Sequence, residues 1–461
     1  MNKLAFALIL TLTLGFAISA QAEEVQVTEP FTKSVLVNNL DNPWGMVWGP
    51  DNQIWVTERL GKRVTRIDPN TGAAKIALTI DEAFTDPGHQ GVLGLALAPD
   101  FLKQGSKNYA YIYYSYQDDK QNNFSRIARY EYDATKEVLA NPTTIIEGIP
   151  AGNDHMGGRL IFGPDGKLYL SHGELGHNQF GNFCKPIEAQ RLPTQQEIIN
   201  QDYSAYLGKT FRINPDGSIP EDNPVLDGVK SHVFTYGHRN PQGLVFVGNR
   251  LFECEHGPSS DDEINLLEAG GNYGWPHVAG FIDDQAYAYA NYSAAPNCES
   301  LQFDPNYIPA GVPVQKETGW QKPANFKEPS KTFFTVPNGY NYNDANCKDV
   351  PYMCWPTVAP SSLAYYPADG PIKTWRNSLL MTTLKSGALY RLPMNADQKY
   401  LQGDVNKLFQ SQNRYRDVLV SPDGLKIYIA TDKEGYVRDL AGAPADKMEN
   451  PGAILVFTYT P

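Results

Sequence analysis

In the stretch Asn153 to Glu174, NDHMGGRLIFGPDGKLYLSHGE, a histidine stands beside an aspartate and just before a glycine pair. A neutral imidazole, with an ordinary pKa of about 6.5, can take a proton from a hydroxyl at neutral pH. Gly157 and Gly158 would let a ligand approach the backbone closely. On these residues alone His155 is either a general base or a structural hydrogen-bonding group. A second set is cationic: Arg239 in GHRNPQG, Lys385 in LKSGALYR, and Arg414 and Arg416 in NRYRDV each sit among glycine or polar neighbours. Such a group suits a small polyanion gripped by guanidinium forks, although any one arginine could simply pair with a nearby aspartate. A third stretch, ECEHGPSSDDEINL, places Gly257 before Pro258 and then three carboxylates. Exposed main-chain carbonyls and carboxylates are hard oxygen ligands of the kind calcium prefers, and a plain turn explains the Gly-Pro equally well.

Several reaction classes lose support. The chain has no G-x-S-x-G elbow, no H-E-x-x-H, no Walker loop and no G-x-G-x-x-G after a strand. The net charge is −12, from 39 Lys and Arg against 51 Asp and Glu, with no basic block, which excludes a nucleic-acid partner.

The elements that must position these residues read as short strands. Gly 39, Pro 34 and Tyr 27 are high counts, and they punctuate β-branched and aromatic runs. A unit recurs as WGPDNQIWVTE, FGPDGKLYLSHGE and VSPDGLKIYIATD, with weaker copies in FVGNRLFECEHG and WRNSLLMTTLKSGALYRL. Each is a turn, an alternating strand and a polar residue at the strand end. Such a meander cannot bury its apolar face alone, and several arranged radially make a propeller. A series of β-sandwiches is the rival; strand-end polar residues gathered at one mouth favour the propeller. The expected fold class is therefore all-β. PTQQEIINQDYSAYLG is the exception, a short helix with a Thr194–Glu197 capping box and a stop at Gly208. Tyr287 to Asn346 reads as an insertion.

Residues 1–22 read as a secretory signal: Lys3, an apolar run from Leu4 to Ile18, and the small-x-small site Ala20-Gln21-Ala22. The run is shorter than the roughly 20 residues that span a bilayer, and no later segment is apolar enough. An exported chain can form disulfides, and five cysteines leave at least one unpaired. Cys347 and Cys354, close across a polar loop, are the preferred pair, with the states of Cys184, Cys254 and Cys298 open. A zinc site lacks a second close-spaced Cys or His pair.

Assembled, these stretches resemble the soluble, pyrroloquinoline quinone (PQQ) dependent glucose dehydrogenases, a family of six-bladed β-propellers exported to the periplasm. PTQQE, INPDGSIPEDNP, YGHRNPQGL, SDDEINL, GGNYGWPHVAG, YAYANYSAA, GVPVQKE, CWPTVAPSS, NRYRDV and ENPG carry the resemblance, over essentially all of residues 23–461. It implies one propeller domain with loop and short helical insertions, oxidising the C1 hydroxyl of glucose and other aldoses to lactones. His155 would be the base, with Asp154 beside it touching the sugar; Gln179 and Trp355 would also lie at the sugar. Arg239 and Asn240 match positions contacting PQQ, and Lys385, Arg414 and Arg416 match the cations that bind its carboxylates. Gly257 and Pro258 match carbonyl ligands of an active-site calcium. Ala279, Phe281, Asp283 and Glu317 match a second calcium site near the family's homodimer interface, and Cys347–Cys354 a family disulfide. Three positions depart: His89, with Gln90 adjacent, stands where the family has Gln at the sugar; Glu174 replaces the Asp that orients the histidine; His256 replaces a Gln. A quinone or other acceptor would take the electrons. Two further readings are a silent sugar- or protein-binding propeller, which the intact His155 and cation set disfavours, and a calcium-dependent propeller lactonase, which needs no cations for a tricarboxylate.

Overall fold

Each recurring turn closes a hairpin between the first two strands of a sheet. The backbone of Asn52 donates to Gly49 O at 3.0 Å, Gly166 to Gly163 O at 2.9 Å, and Gly424 to Ser421 O at 2.8 Å. The computed structural model describes residues 24–26, 30–304, 306–347 and 349–460; the expected signal at 1–22 lies outside them. Six sheets begin with innermost strands Pro43–Trp48, Val92–Leu97, Leu160–Phe162, Pro241–Val247, Pro360–Tyr366 and Tyr415–Val420. Each starts a run of four antiparallel strands, to which blade 5 adds a fifth. The innermost strands touch one another in that order and the sixth touches the first, which closes a six-bladed propeller.

Closure is made by joining the two ends of the chain. Phe31–Val37 is the outer strand of blade 6, paired antiparallel with Ile454–Tyr459 so that Phe31 faces Tyr459. Glu24–Gln26 adds in parallel to Val405–Leu408 of blade 5. Between blades the facing side chains are apolar: Leu93, Tyr111 and Tyr113 of blade 2 share one core with Leu168, Leu170 and Phe211 of blade 3. That burial is what a lone meander lacks.

Near the axis, Arg159 ties the ring together. Its guanidinium lies 4.7 Å from the ring centre of Trp44 and donates to Asp417 Oδ2 at 3.1 Å, Gln242 O at 3.4 Å and Ser361 O at 3.4 Å. Asp417 in turn accepts from Met46 N and the Ser362 hydroxyl, both at 2.5 Å. Blades 1, 3, 4, 5 and 6 thus meet at one buried ion pair.

Two expectations about insertions need adjusting. The capping box is present, but the α-helix, Gln195–Asn200, already ends at Gln201, which takes φ 54°; Gly208, at φ 65°, follows a later 3-10 turn instead. The carboxylate of Asp202 accepts the Ser204 backbone at 3.0 Å and starts a separate 3-10 turn, Ser204–Tyr206. The blade 4 insertion runs from 268 to 330, and Lys331–Phe333, placed inside an insertion by the sequence, is that blade's fourth strand. Its pairing partner, Asp262–Ile264, is distant in sequence, so local pattern could not reveal it. Cys184–Cys298 fastens the helical insertion of blade 3 to the blade 4 insertion, and Cys347–Cys354 forms as expected. Cys254 is free and buried. Among the described residues no helix is long and apolar enough to cross a membrane.

Candidate active site

Innermost strands begin, and second strands end, at the same end of the ring. There they line a cavity of about 420 Å³ whose walls include His89, Asp154, His155, Lys385, Arg414 and Arg416. His155 lies in the connector entering blade 3, with φ 42°. The connector is pressed against the next strand end: a Cβ at Gly173 would stand 2.0 Å from His155 O, and one at Gly157 2.9 Å from Pro241 O. Close backbone packing thus requires the glycine at 157, which also lines the cavity, independently of the ligand access that the sequence suggested.

Buried His155 places Nδ1 2.5 Å from Oε1 of Glu174, which has no exposed surface. Glu174 Oε2 accepts the His177 backbone at 2.8 Å, and the Glu174 backbone donates to Arg239 O at 2.9 Å. A carboxylate at Nδ1 makes that nitrogen the N–H donor and leaves a lone pair on Nε2. Gln179 is consistent with this tautomer. Its Nε2 lies 3.1 Å from His155 Nε2 and 3.2 Å from Asp154 Oδ2, while its Oε1 accepts from Arg239 Nη2 at 2.5 Å.

Asp154 also accepts the His155 backbone at 2.9 Å and lies 3.5 Å from His89 Nδ1. Burial opposes its charge, yet His155, His89 and Arg239 together hold its carboxyl well below the usual range. His89 lines the cavity wall, partly buried, with 43% of its side chain exposed. That desolvation pushes its pKa down, with Asp154 opposing, and the water still reaching the ring moderates the shift. Gln90 does not line the cavity: its side chain is buried and donates to Asp86 Oδ2 at 2.9 Å.

The cations converge, each with its own partner. Arg416 grips Asp432 with two bonds of 2.8 Å, and Arg414 Nε reaches the same carboxylate at 3.1 Å. Asp432 is pulled down to about 2: burial opposes this, and the arginines outweigh it. Lys385 Nζ donates to Tyr352 O at 2.8 Å, Trp355 O at 3.0 Å and the Thr357 hydroxyl. The arginine–aspartate pairing and the shared cationic wall thus hold together. Arg59 opens onto the same cavity; sequence reading passed over it and over Asp432. Both stand where a second strand ends in the recurring unit, so the strand-end polar position was the available signal.

Behind Arg239 lies another group that the sequence did not single out. Glu255 Oε2 accepts the Arg239 backbone at 2.8 Å and Oε1 lies 3.1 Å from His238 Nδ1. Arg239 also donates to His256 O at 3.2 Å and lies 5.4 Å from the ring centre of Trp275. Asn240 Oδ1 accepts from Gly157 N at 3.3 Å and Gln242 at 2.8 Å. Asn240 Nδ2 and Arg239 Nε are buried with no hydrogen-bond partner among the described residues. Such donors call for an acceptor that the protein does not supply.

Gly257 and Pro258 border a void of about 10 Å³ that Glu255 and Glu263 also line, room for about one ion or water. The loop containing Ala279, Phe281 and Asp283 wraps Glu317. Its carboxylate accepts the backbones of Ala279 at 3.1 Å, Asp283 at 3.2 Å and Asp284 at 2.9 Å. Burial pushes Glu317 up to about 7, with those bonds opposing. Trp355 stands apart from the cationic cavity, in an adjoining cleft.

A model of the glucose/sorbosone dehydrogenase family matches residues 40–322 and 316–438. The chain belongs to the glucose/sorbosone dehydrogenase family. This member is 45% identical over 444 residues to quinoprotein glucose dehydrogenase B of Acinetobacter calcoaceticus, covering 94% of this chain and 92% of that one. It is 26% identical over 443 residues to the aldose sugar dehydrogenase of Escherichia coli, covering 94% and 97%. The PQQ-bound aldose sugar dehydrogenase of Streptomyces coelicolor superposes with a TM-score of 0.61 at 26% identity, over 93% of this chain and 98% of that one.

Proposed function

We propose that the protein is a periplasmic quinoprotein that oxidises the C1 hydroxyl of glucose and other aldoses to lactones, acting as one propeller unit over residues 23–461. The observation that carries the reading is the His155–Glu174 pair at 2.5 Å, opening onto a cavity lined by Lys385, Arg414 and Arg416. The residues present fit PQQ: guanidinium forks and an ammonium for its carboxylates, and two unpartnered buried donors, Asn240 Nδ2 and Arg239 Nε, for its ring oxygens. The donor set at Gly257 and Pro258 fits calcium, and so does that at Ala279, Phe281, Asp283 and Glu317. Bound PQQ supplies the two-electron acceptor for the C1 hydride, with calcium as a Lewis acid on its quinone carbonyl.

The protein's own part is proton chemistry and orientation. A sugar C1 hydroxyl reaches His155 Nε2 by displacing the Gln179 amide now 3.1 Å away. That nitrogen takes the hydroxyl proton, and Glu174 stabilises the imidazolium through Nδ1–H. Asp154, held ionised, accepts from a neighbouring sugar hydroxyl, and His89 stands beside it at the rim. Displacing Gln179 also releases Arg239 Nη2 to face the developing oxyanion. The electrons leave to a quinone or other acceptor. The second calcium set and the family resemblance support a homodimer.

The test is reconstitution. Apo protein given PQQ and calcium should bind the cofactor in a calorimeter and reduce a dye when glucose is added; absence of binding, or of sugar-dependent reduction, contradicts the reading.

A further inference from the structure

Gln179 stands between the cationic cavity and a second cleft of about 230 Å³, built from the insertions of blades 3 and 4 and the loop after blade 4. Its amide Nε2 is 3.1 Å from His155 Nε2, and the same side chain lines the cleft. A sugar that displaces this amide to bring its C1 hydroxyl to His155 therefore has the cleft behind it for the rest of its ring. Phe180, Trp275 and Trp355 are aromatic walls of that space, and the planes of Phe180 and Trp355 are within 7° of parallel. The C–H face of a pyranose packs on such rings, which leaves its hydroxyls to find polar partners.

Several polar groups of the cleft are held by its own loops. Asn178 donates to Ala290 O at 2.7 Å and accepts from Tyr292 N at 2.9 Å. Asn338 donates to Asp284 O at 2.6 Å and accepts from Ala286 N at 3.1 Å. The Tyr287 hydroxyl donates to Pro276 O at 2.6 Å. Two wall donors are left over. Nε1 of Trp275 and Nε1 of Trp355 are buried and have no hydrogen-bond partner among the described residues. A buried N–H without an acceptor is costly, so each calls for an oxygen from whatever fills the cleft. An indole N–H donates and cannot accept, and a sugar hydroxyl oxygen is a matching acceptor. The family resemblance already places Trp355 at the sugar; it assigns nothing to Trp275. Yet the Trp275 ring centre is 5.4 Å from the guanidinium of Arg239, whose Nη2 donates to Gln179, so this indole belongs to the reacting centre's own mouth.

We propose that Trp275 is a specificity-determining residue that donates its indole N–H to one hydroxyl of the bound aldose, a proposal that rests on the dehydrogenase reading above. With C1 held at His155, that hydroxyl belongs to the part of the sugar lying in the cleft. An aldose that lacks it, or carries an ammonium in its place, leaves the buried N–H unpaired and is selected against.

The test compares glucose with its singly deoxygenated analogues, one for each hydroxyl other than that at C1, in the parent and in Trp275→Phe, which keeps an aromatic ring and loses the N–H. Holoenzyme reduced beforehand binds sugar without turnover, so calorimetry reads the affinity directly, and KM with a dye acceptor reads it again. In the parent, the analogue missing the partner hydroxyl should bind about tenfold more weakly than glucose. In Trp275→Phe, glucose should weaken by a similar factor and that one analogue hardly at all, because its bond is already gone. Each comparison is a ratio within one protein, so a general loosening of the mouth cancels. Equal weakening of glucose and every analogue by the substitution overturns the proposal, and so does an unaltered affinity for glucose. Failure of glucose to reduce the cofactor of the parent holoenzyme would instead sink the dehydrogenase reading itself.

Discussion

His155 Nδ1 lies 2.5 Å from Oε1 of Glu174, a carboxylate sealed from solvent and held by the His177 backbone on its other oxygen. The longer glutamate therefore reaches the histidine within hydrogen-bonding distance. Glu174→Gln should let an amide N–H face Nδ1 and reverse the tautomer, lowering kcat by about 10²- to 10⁴-fold. Cofactor affinity and sugar KM should stay close to the parent values. A kcat within threefold of the parent would remove Glu174 from this role.

Arg416→Ala removes one guanidinium from the cavity and leaves Asp432 facing any bound carboxylate. Charge-assisted bonds contribute about 1.5–3 kcal/mol, so PQQ affinity should fall roughly ten- to a hundredfold. Calorimetric titration at two salt concentrations reads both the loss and its electrostatic origin.

The Arg159–Asp417 pair carries a stability prediction. Arg159→Met leaves a buried carboxylate without its cation, at a cost of about 3–5 kcal/mol, seen as a lowered denaturation midpoint. Adding Asp417→Asn should recover part of that loss, because the orphaned charge is then gone.

Asp432 gives a pH dependence. Its folded pKa of about 2 lies below the unfolded value of about 3.9, so its contribution is present above pH ~4. It disappears as the pH falls toward 2, and amounts to about 2 kcal/mol. Asp432→Asn should be less stable at neutral pH and show a shallower acid unfolding profile between pH ~4 and ~2. Parallel profiles would exclude this origin.

The blade hairpins were legible because a PDG-type turn followed by alternation has one local solution, seen at Gly49–Asn52 and Ser421–Gly424. The base candidate was legible only in part. His155 and Glu174 sit 19 residues apart on different segments, and it was the family resemblance that linked them. Arg59, Asp432 and Glu255 were passed over, since a strand-end charge looks solvated until the ring folds it inward. The strand Lys331–Phe333 and the Cys184–Cys298 link, 114 residues apart, depend on long-range pairing that no local pattern encodes.

The most direct test is the reductive half-reaction of His155→Ala. Reconstituted with PQQ and calcium, the variant should bind the cofactor with parental affinity in a calorimeter. On mixing with saturating glucose without acceptor, its cofactor absorbance should change about 10²- to 10⁴-fold more slowly than in the parent. Reduction at the parental rate would contradict the account, because the proton would then be leaving the C1 hydroxyl without His155.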